Sequence, residues 1–192
     1  DLSLPFPGVE FQPLLTEIAA QKPDVVFAFF AGGGAVKFVK DYDAAGLKKS
    51  IPLVGSGFLT DGTLEAQGAS AQGLITALHY GDNIETPRNT AFRNKFAVTY
   101  KVNPDVYALQ GYDAAQMLAI GLATVKGDLS KKDALYAAMN KAQIDSPRGK
   151  FTLSPQRNPT QDFYVREVKG NYNVVTGVAV KALADPGRGC KP

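Results

Sequence analysis

The 192 residues are 45% apolar and 20% charged, the profile of a globular protein long enough for one large domain or two small ones. No apolar run approaches the ~18 residues of a membrane span, and Val25–Ala31, the densest, is strand-sized. The net charge of +3 comes from scattered Lys and Arg, without the basic stripe of a nucleic-acid binder.

In chain order, Phe11–Ala20 carries Phe11, Leu14, Leu15, Ile18 and Ala19 at the spacing of a helix with one buried stripe. Lys22-Pro23-Asp24 breaks it. Val25–Phe30 then reads as a strand buried on both faces, because its apolarity is continuous rather than alternating. Gly32-Gly33-Gly34 leads into a second helix with Ala35, Phe38, Val39, Tyr42 and Ala45 on one face and Gly46 as its stop. A strand at Ile51–Val54, the turn Gly55-Ser56-Gly57, a helix opening near Thr60 or Asp61 and a strand at Leu74–Leu78 follow. Strand, glycine turn and helix in repetition predict an α/β fold, a parallel sheet flanked by helices.

Beyond residue 80 the pattern changes. Thr86-Pro87 is a helix start, Thr as N-cap and Pro at the first helical position, and the helix runs to about Tyr100. After Asn103-Pro104 a longer helix spans about Val106–Val125, with Ala115, Leu118, Leu122 and Val125 at core spacing. Ser130 and Asp133 have the spacing of a capping box for a helix over Lys131–Lys141. Gly149–Leu153, Phe163–Lys169 and Tyr172–Val180 read as strands, the last two joined by a Gly170-Asn171 turn. The helices between Thr86 and Ala142 have too few strands to cover: either they form their own bundle or their sheet lies in chain outside these 192 residues, and the second is the expectation, which makes the chain incomplete as a ligand-binding unit.

Enzyme signatures fail one by one. Lys37 stands where a dinucleotide fingerprint needs its third glycine, no GxxxxGK[ST] exists, and Gly55-Ser56-Gly57 is not a GxSxG elbow. His79, the single histidine, builds no two-histidine metal site, and no cofactor is expected. Cys190, the single cysteine, is either an incidental thiol or half of a disulfide with a partner outside the chain. The two glycine turns, 32–34 and 55–57, fall at the carboxyl ends of predicted parallel strands. There, backbone N–H groups at helix N-termini receive ligands in open α/β sheets.

The order of short motifs resembles the periplasmic solute-binding proteins of the leucine/isoleucine/valine-binding type. They are Val9-Glu10-Phe11-Gln12-Pro13-Leu14-Leu15, Lys22-Pro23-Asp24-Val25-Val26-Phe27, Asp43-Ala44-Ala45-Gly46-Leu47 and Ile51-Pro52-Leu53-Val54-Gly55-Ser56. After these come Ala71-Gln72-Gly73-Leu74, Asn89-Thr90-Ala91-Phe92 with Phe96, and Pro104-Asp105 with Gly111-Tyr112-Asp113-Ala114-Ala115-Gln116. The resemblance implies the C-terminal half of a type I periplasmic binding protein, two α/β lobes hinged by strand crossovers with ligand between them. Residues 1–78 would be the C-terminal lobe, 79–161 a segment of the N-terminal lobe, 162–182 the return, and 183–192 a tail. It implies an extracytoplasmic, non-enzymatic binder that delivers a small molecule to the membrane permease of an ABC importer, without nucleic acid or membrane insertion. A sensory domain on the same fold is the alternative.

The resemblance also implies ligand contacts at Ala31, Gly32, Gly33, Ser56, Gly57, Phe58, His79 and Tyr107. Phe58 could equally be core, Tyr80 is a hinge aromatic, and Tyr112 is structural. Relatives that hold α-amino acids resemble one another in an acid after the second strand. Here Gly57 stands near that place, and Asp61 suits a helix N-cap or first turn. The open Ala31–Gly34 loop lacks the tyrosine often found there. Together these point to an aromatic or hydrophobic carboxylate, with a branched-chain or other amino acid as the alternative.

Overall fold

The computed structural model describes residues 1–5 and 8–189, so the question of Cys190 lies outside the described residues. In chain order the elements are α1 (Gln12–Gln21), β1 (Val26–Ala28), α2 (Gly32–Ala44), β2 (Leu53–Ser56), α3 (Leu64–Gln67) and β3 (Ile75–Leu78). Then come α4 (Pro87–Tyr100), α5 (Val106–Thr124), α6 (Lys132–Asn140), β4 (Thr152–Leu153), β5 (Pro159–Lys169) and β6 (Tyr172–Leu183). The chain divides into two compact units: Asp1–Asn83 with Tyr164–Gly177, and Ile84–Phe163 with the chain from Val178 onward.

In the first unit β1, β2 and β3 are parallel neighbours, with Val26 opposite Leu53 and Gly55 opposite Thr76. The end of β5 adds antiparallel to β3, Ile75 facing Glu167 and Leu78 facing Tyr164, and β6 pairs with β5. The apolar stripes of α1 and α2 build the core. Phe11, Leu15, Ile18, Ala35, Phe38, Val39 and Tyr42 are buried, each large side chain contributing about 1.5–3 kcal/mol relative to exposure. Phe38 lies 5.2 Å from Phe11 and 4.7 Å from Phe30 between ring centroids, and the Tyr42 hydroxyl donates to the Ile51 carbonyl at 3.0 Å.

In the second unit α4 and α5 start on side-chain caps: Thr86 Oγ1 accepts from the Asn89 N–H at 3.0 Å, and Asp105 Oδ1 from that of Ala108 at 2.9 Å. Phe92 of α4 meets Tyr112 of α5 with centroids 5.0 Å apart, which makes Tyr112 a packing residue. Here β4 pairs antiparallel to the start of β5, Thr152 opposite Thr160, and the end of β6 belongs to the same unit.

Several expectations are corrected. Val25–Phe30 is not a strand buried on both faces: β1 is three residues long, ends the strand order, and leaves Phe27 and Phe29 69% and 64% exposed. The second strand begins at Leu53 rather than Ile51. Ala19, Ala45, Ala115 and Leu118 are exposed, because in α1, α2 and α5 the buried stripe is narrower than the apolar one. No capping box forms at Ser130, whose hydroxyl donates to Asp128 at 2.6 Å, and α6 begins without a side-chain cap. The strand expected at Gly149–Leu153 contracts to Thr152–Leu153.

Candidate functional site

The sites expected at 31–33, 56–58 and 79 follow three neighbouring parallel strands, so the sheet brings them to its carboxyl edge, where open α/β sheets take ligands. Ala31 is the extended N-cap of α2, and Gly32 takes a φ of +54° that a side chain would resist. No atom lies within 4 Å of where a Cβ would stand on Gly32 or Gly33, so both glycines border open space, and the N–H groups of the first turn of α2 have no carbonyl partner within the helix. Ser56 ends β2 with its hydroxyl buried and without a hydrogen-bond partner. Phe58 is half-buried, its ring edge-on to Phe29 with centroids 6.1 Å apart, which joins the loops after β1 and β2. His79 directly follows β3 and is buried, as is Tyr80.

The second glycine turn is not a second helix N-terminus. Gly55 and Ser56 are strand, 57–59 form a single 3-10 turn, and α3 is four residues long. Nor is Asp61 a cap. It is 4% exposed, and its Oδ2 lies 2.8 Å from Nη1 of Arg166, itself 1% exposed. The guanidinium also donates through Nε and Nη2 to Thr76 Oγ1 at 3.2 and 3.0 Å, through Nη1 to the Tyr80 carbonyl at 2.9 Å, and through Nη2 to the Gly57 carbonyl at 3.2 Å. A Cβ on Gly57 would stand 2.5 Å from Leu78 Cβ and 2.6 Å from Arg166 Nη2. Glycine at 57 is therefore required by the guanidinium packed behind it, and an acidic side chain there would point inward.

Sequence reasoning missed Arg166 and Thr76. The signal was the two-residue alternation of β5, which puts Arg166 on the buried face with Val168. A charge on a core-facing position needs a partner, and this one has five contacts.

Tyr107 belongs to the second unit, half-exposed in the first turn of α5. That unit holds its own cavity of about 410 Å³, lined among others by Asp113, Tyr136, Arg148 and Phe151. Arg148 Nη2 lies 3.0 Å from Asp113 Oδ2, which also accepts from Ser146 Oγ at 2.8 Å, and the guanidinium stacks 4.0 Å from the Phe151 ring centroid. Burial raises the Asp113 pKa against the opposing pull of Ser146 and Arg148, and burial lowers that of Arg148 against the Asp113 charge. Among the described residues no cluster of His, Cys, Asp or Glu is arranged to hold a metal ion.

A family described as periplasmic binding proteins matches residues 2–173. The chain belongs to this family. This periplasmic binding protein is similar to the solute-binding protein of an ABC transporter from R. palustris solved in complex with benzoate, at 51% identity and a TM-score of 0.96, over 100% of this chain and 53% of that one. It is similar to a second solute-binding protein, from Rhodopseudomonas palustris BisB5, in complex with 3,4-dihydroxybenzoic acid, at 30% identity and a TM-score of 0.83, over 93% of this chain and 50% of that one. It is also similar to the Leu/Ile/Val-binding protein homolog 6 of Brucella melitensis biotype 1, 31% identical over 173 residues, 87% of this chain and 44% of that one. The chain thus spans about half the length of the relatives it matches. Family membership implies an extracytoplasmic location, and among the described residues no helix is long and apolar enough to cross a membrane.

Proposed function

We propose that this chain is part of the extracytoplasmic solute-binding component of an ABC importer, and that it binds a benzoate-like aromatic carboxylate without catalysing a reaction. The observation that carries this reading is the 51% identity, over the whole chain, to a protein solved with benzoate. Three features of the first unit support it. The N–H groups opening α2 suit a carboxylate, the edge-to-face Phe29–Phe58 pair offers apolar surface, and the Ser56 hydroxyl lacks a protein partner. In this reading Ala31, Gly32, Gly33, Ser56, Phe58 and His79 contact the ligand, Gly57 shapes the loop from behind, and Tyr107 is a contact carried by the second unit. In this reading the unit of Asp1–Asn83 and Tyr164–Gly177, close to the expected 1–78 and 162–182, is one lobe, and the unit built on Ile84–Phe163 belongs to another whose remaining sheet lies in sequence beyond this chain. The partner is the membrane permease of the importer. Calorimetry of the full-length protein against benzoate, 4-hydroxybenzoate and leucine tests it. Micromolar or tighter binding of an aromatic acid is expected; leucine binding without either aromatic acid overturns the reading.

The second reading, a branched-chain amino-acid binder, draws on the name of the Brucella relative at 31% identity. The same titration decides between them.

A further inference from the structure

We propose that the buried Arg166–Asp61 ion pair is the device by which this site rejects ligands carrying an ammonium group. The inference rests on the aromatic-acid reading and adds its mechanism of discrimination. An α-amino acid and the matching arylalkanoic acid differ only by an ammonium, and burying that charge is unfavourable unless an anion meets it. In the loop that follows β2 the one acidic side chain is Asp61, and it faces a guanidinium 2.8 Å away. The position one residue from Ser56 cannot supply another, because Leu78 and Arg166 fill the space into which a side chain at Gly57 would project.

The pair is held directly behind the loop rather than elsewhere in the core. The guanidinium that meets Asp61 also donates to the Gly57 carbonyl at 3.2 Å and the Tyr80 carbonyl at 2.9 Å, the residues next to Ser56, Phe58 and His79. The Asp61 N–H closes the turn on the same Gly57 carbonyl at 3.0 Å, and the neighbouring Thr60 hydroxyl donates to Asn173 Oδ1 at 2.6 Å. The carboxylate is fixed where its field would reach a bound ligand, and the cation beside it cancels that field. Removing either partner leaves a net charge of known sign behind the loop, with little solvent to screen it.

The test uses the full-length protein and two probes, phenylalanine and 3-phenylpropanoate, which differ by the ammonium alone. Arg166→Gln leaves the negative charge of Asp61 and is expected to shift the ratio of the two dissociation constants at least about tenfold toward phenylalanine. Asp61→Asn leaves the positive charge and is expected to shift it in the opposite direction. The double variant removes both charges and is expected to return the ratio to that of the unaltered protein. A merely structural pair would weaken both probes together, so ratios that stay fixed, or move the same way in both single variants, overturn the proposal. If one single variant fails to fold by its melting curve, the other and the double variant still decide the sign. An unaltered protein that binds neither 3-phenylpropanoate nor benzoate removes the aromatic-acid reading instead, which is a different failure.

Discussion

Each unit buries one arginine–aspartate pair, and the two are satisfied to different degrees. Arg166 meets Asp61, the Thr76 hydroxyl and two backbone carbonyls, so its charge is dispersed over two separate stretches of chain, 57–61 and 76–80. Arg148 meets Asp113, Gln161 at 2.5 Å and the face of Phe151, but its Nε has no hydrogen-bond partner, and both Arg148 and Asp113 line a cavity. A buried pair repays the desolvation of its charges only when its remaining donors and acceptors are met. The pair in the first unit thus acts as a clasp on neighbouring loops, whereas that in the second is an incompletely satisfied polar island. Geometry, not the presence of a salt bridge, separates the two.

The largest expected effect breaks that comparison directly. Arg166→Met with Asp61→Leu removes the donors of the Gly57 and Tyr80 carbonyls and is expected to destabilise the first unit by about 2–4 kcal/mol. The matching replacement, Arg148→Met with Asp113→Leu, strands fewer groups and fills part of the cavity, so a change within about 1 kcal/mol of zero, or a gain, is expected. Native-state hydrogen exchange of the β3 and α5 amides reads each unit by itself. Equal losses in both would show that the degree of satisfaction carries no energetic weight here.

A smaller effect sharpens the functional side of the comparison. Ser56 keeps a buried hydroxyl without a partner, a state that lowers the stability of the empty protein. Ser56→Ala is therefore expected to leave the melting temperature of the ligand-free protein unchanged or higher while weakening benzoate about five- to thirtyfold. On the proposed contact at Tyr107, Tyr107→Ala is expected to weaken benzoate about thirtyfold with little change of fold. Benzoate affinity unaltered by either substitution takes that residue out of the site.

Much of this architecture was legible because helix stripes and strand runs are local signals. Phe11, Leu15 and Ile18, or Phe38, Val39 and Tyr42, announce their buried faces by spacing, and Thr86-Pro87 announces its cap. What was not legible depends on residues far apart in the chain. Nothing near Asp61 names Arg166 as its partner, so a carboxylate after a glycine turn reads as a helix cap. Gly57 reads as a missing acid until Leu78 and Arg166 are seen filling its side-chain space. The apolar run at Val25–Phe30 says that those side chains favour burial, but not which are covered; β1 ends the strand order and leaves Phe27 and Phe29 exposed. Ser130 reads as a cap because its spacing fits, yet Asp128, two residues away, competes for its hydroxyl at 2.6 Å.

The smallest expected effect is a pH slope in the second unit. Burial raises the Asp113 pKa above its ordinary 3.8, so the folded protein holds that proton more tightly than the unfolded chain does. Its contribution to stability is fully present below 3.8 and is lost as the pH rises through the folded value. Burial lowers the Arg148 pKa, but a guanidinium stays charged between pH 4 and 7 and adds no slope of its own. Asp128 works the other way: hydrogen bonds from Ser130 and Lys131 lower its pKa, so its contribution is lost as the pH falls, in a window below 3.8. Above about pH 4 the two are therefore separable. Protection of the α5 amides, compared between the unaltered protein and Asp113→Asn from pH 4 to 7, isolates the first of them. The unaltered protein is expected to gain on the variant as the pH is lowered. A difference that stays flat, or falls on acidification, would mean that Arg148 and Ser146 outweigh burial and that the second pair is as well satisfied as the first.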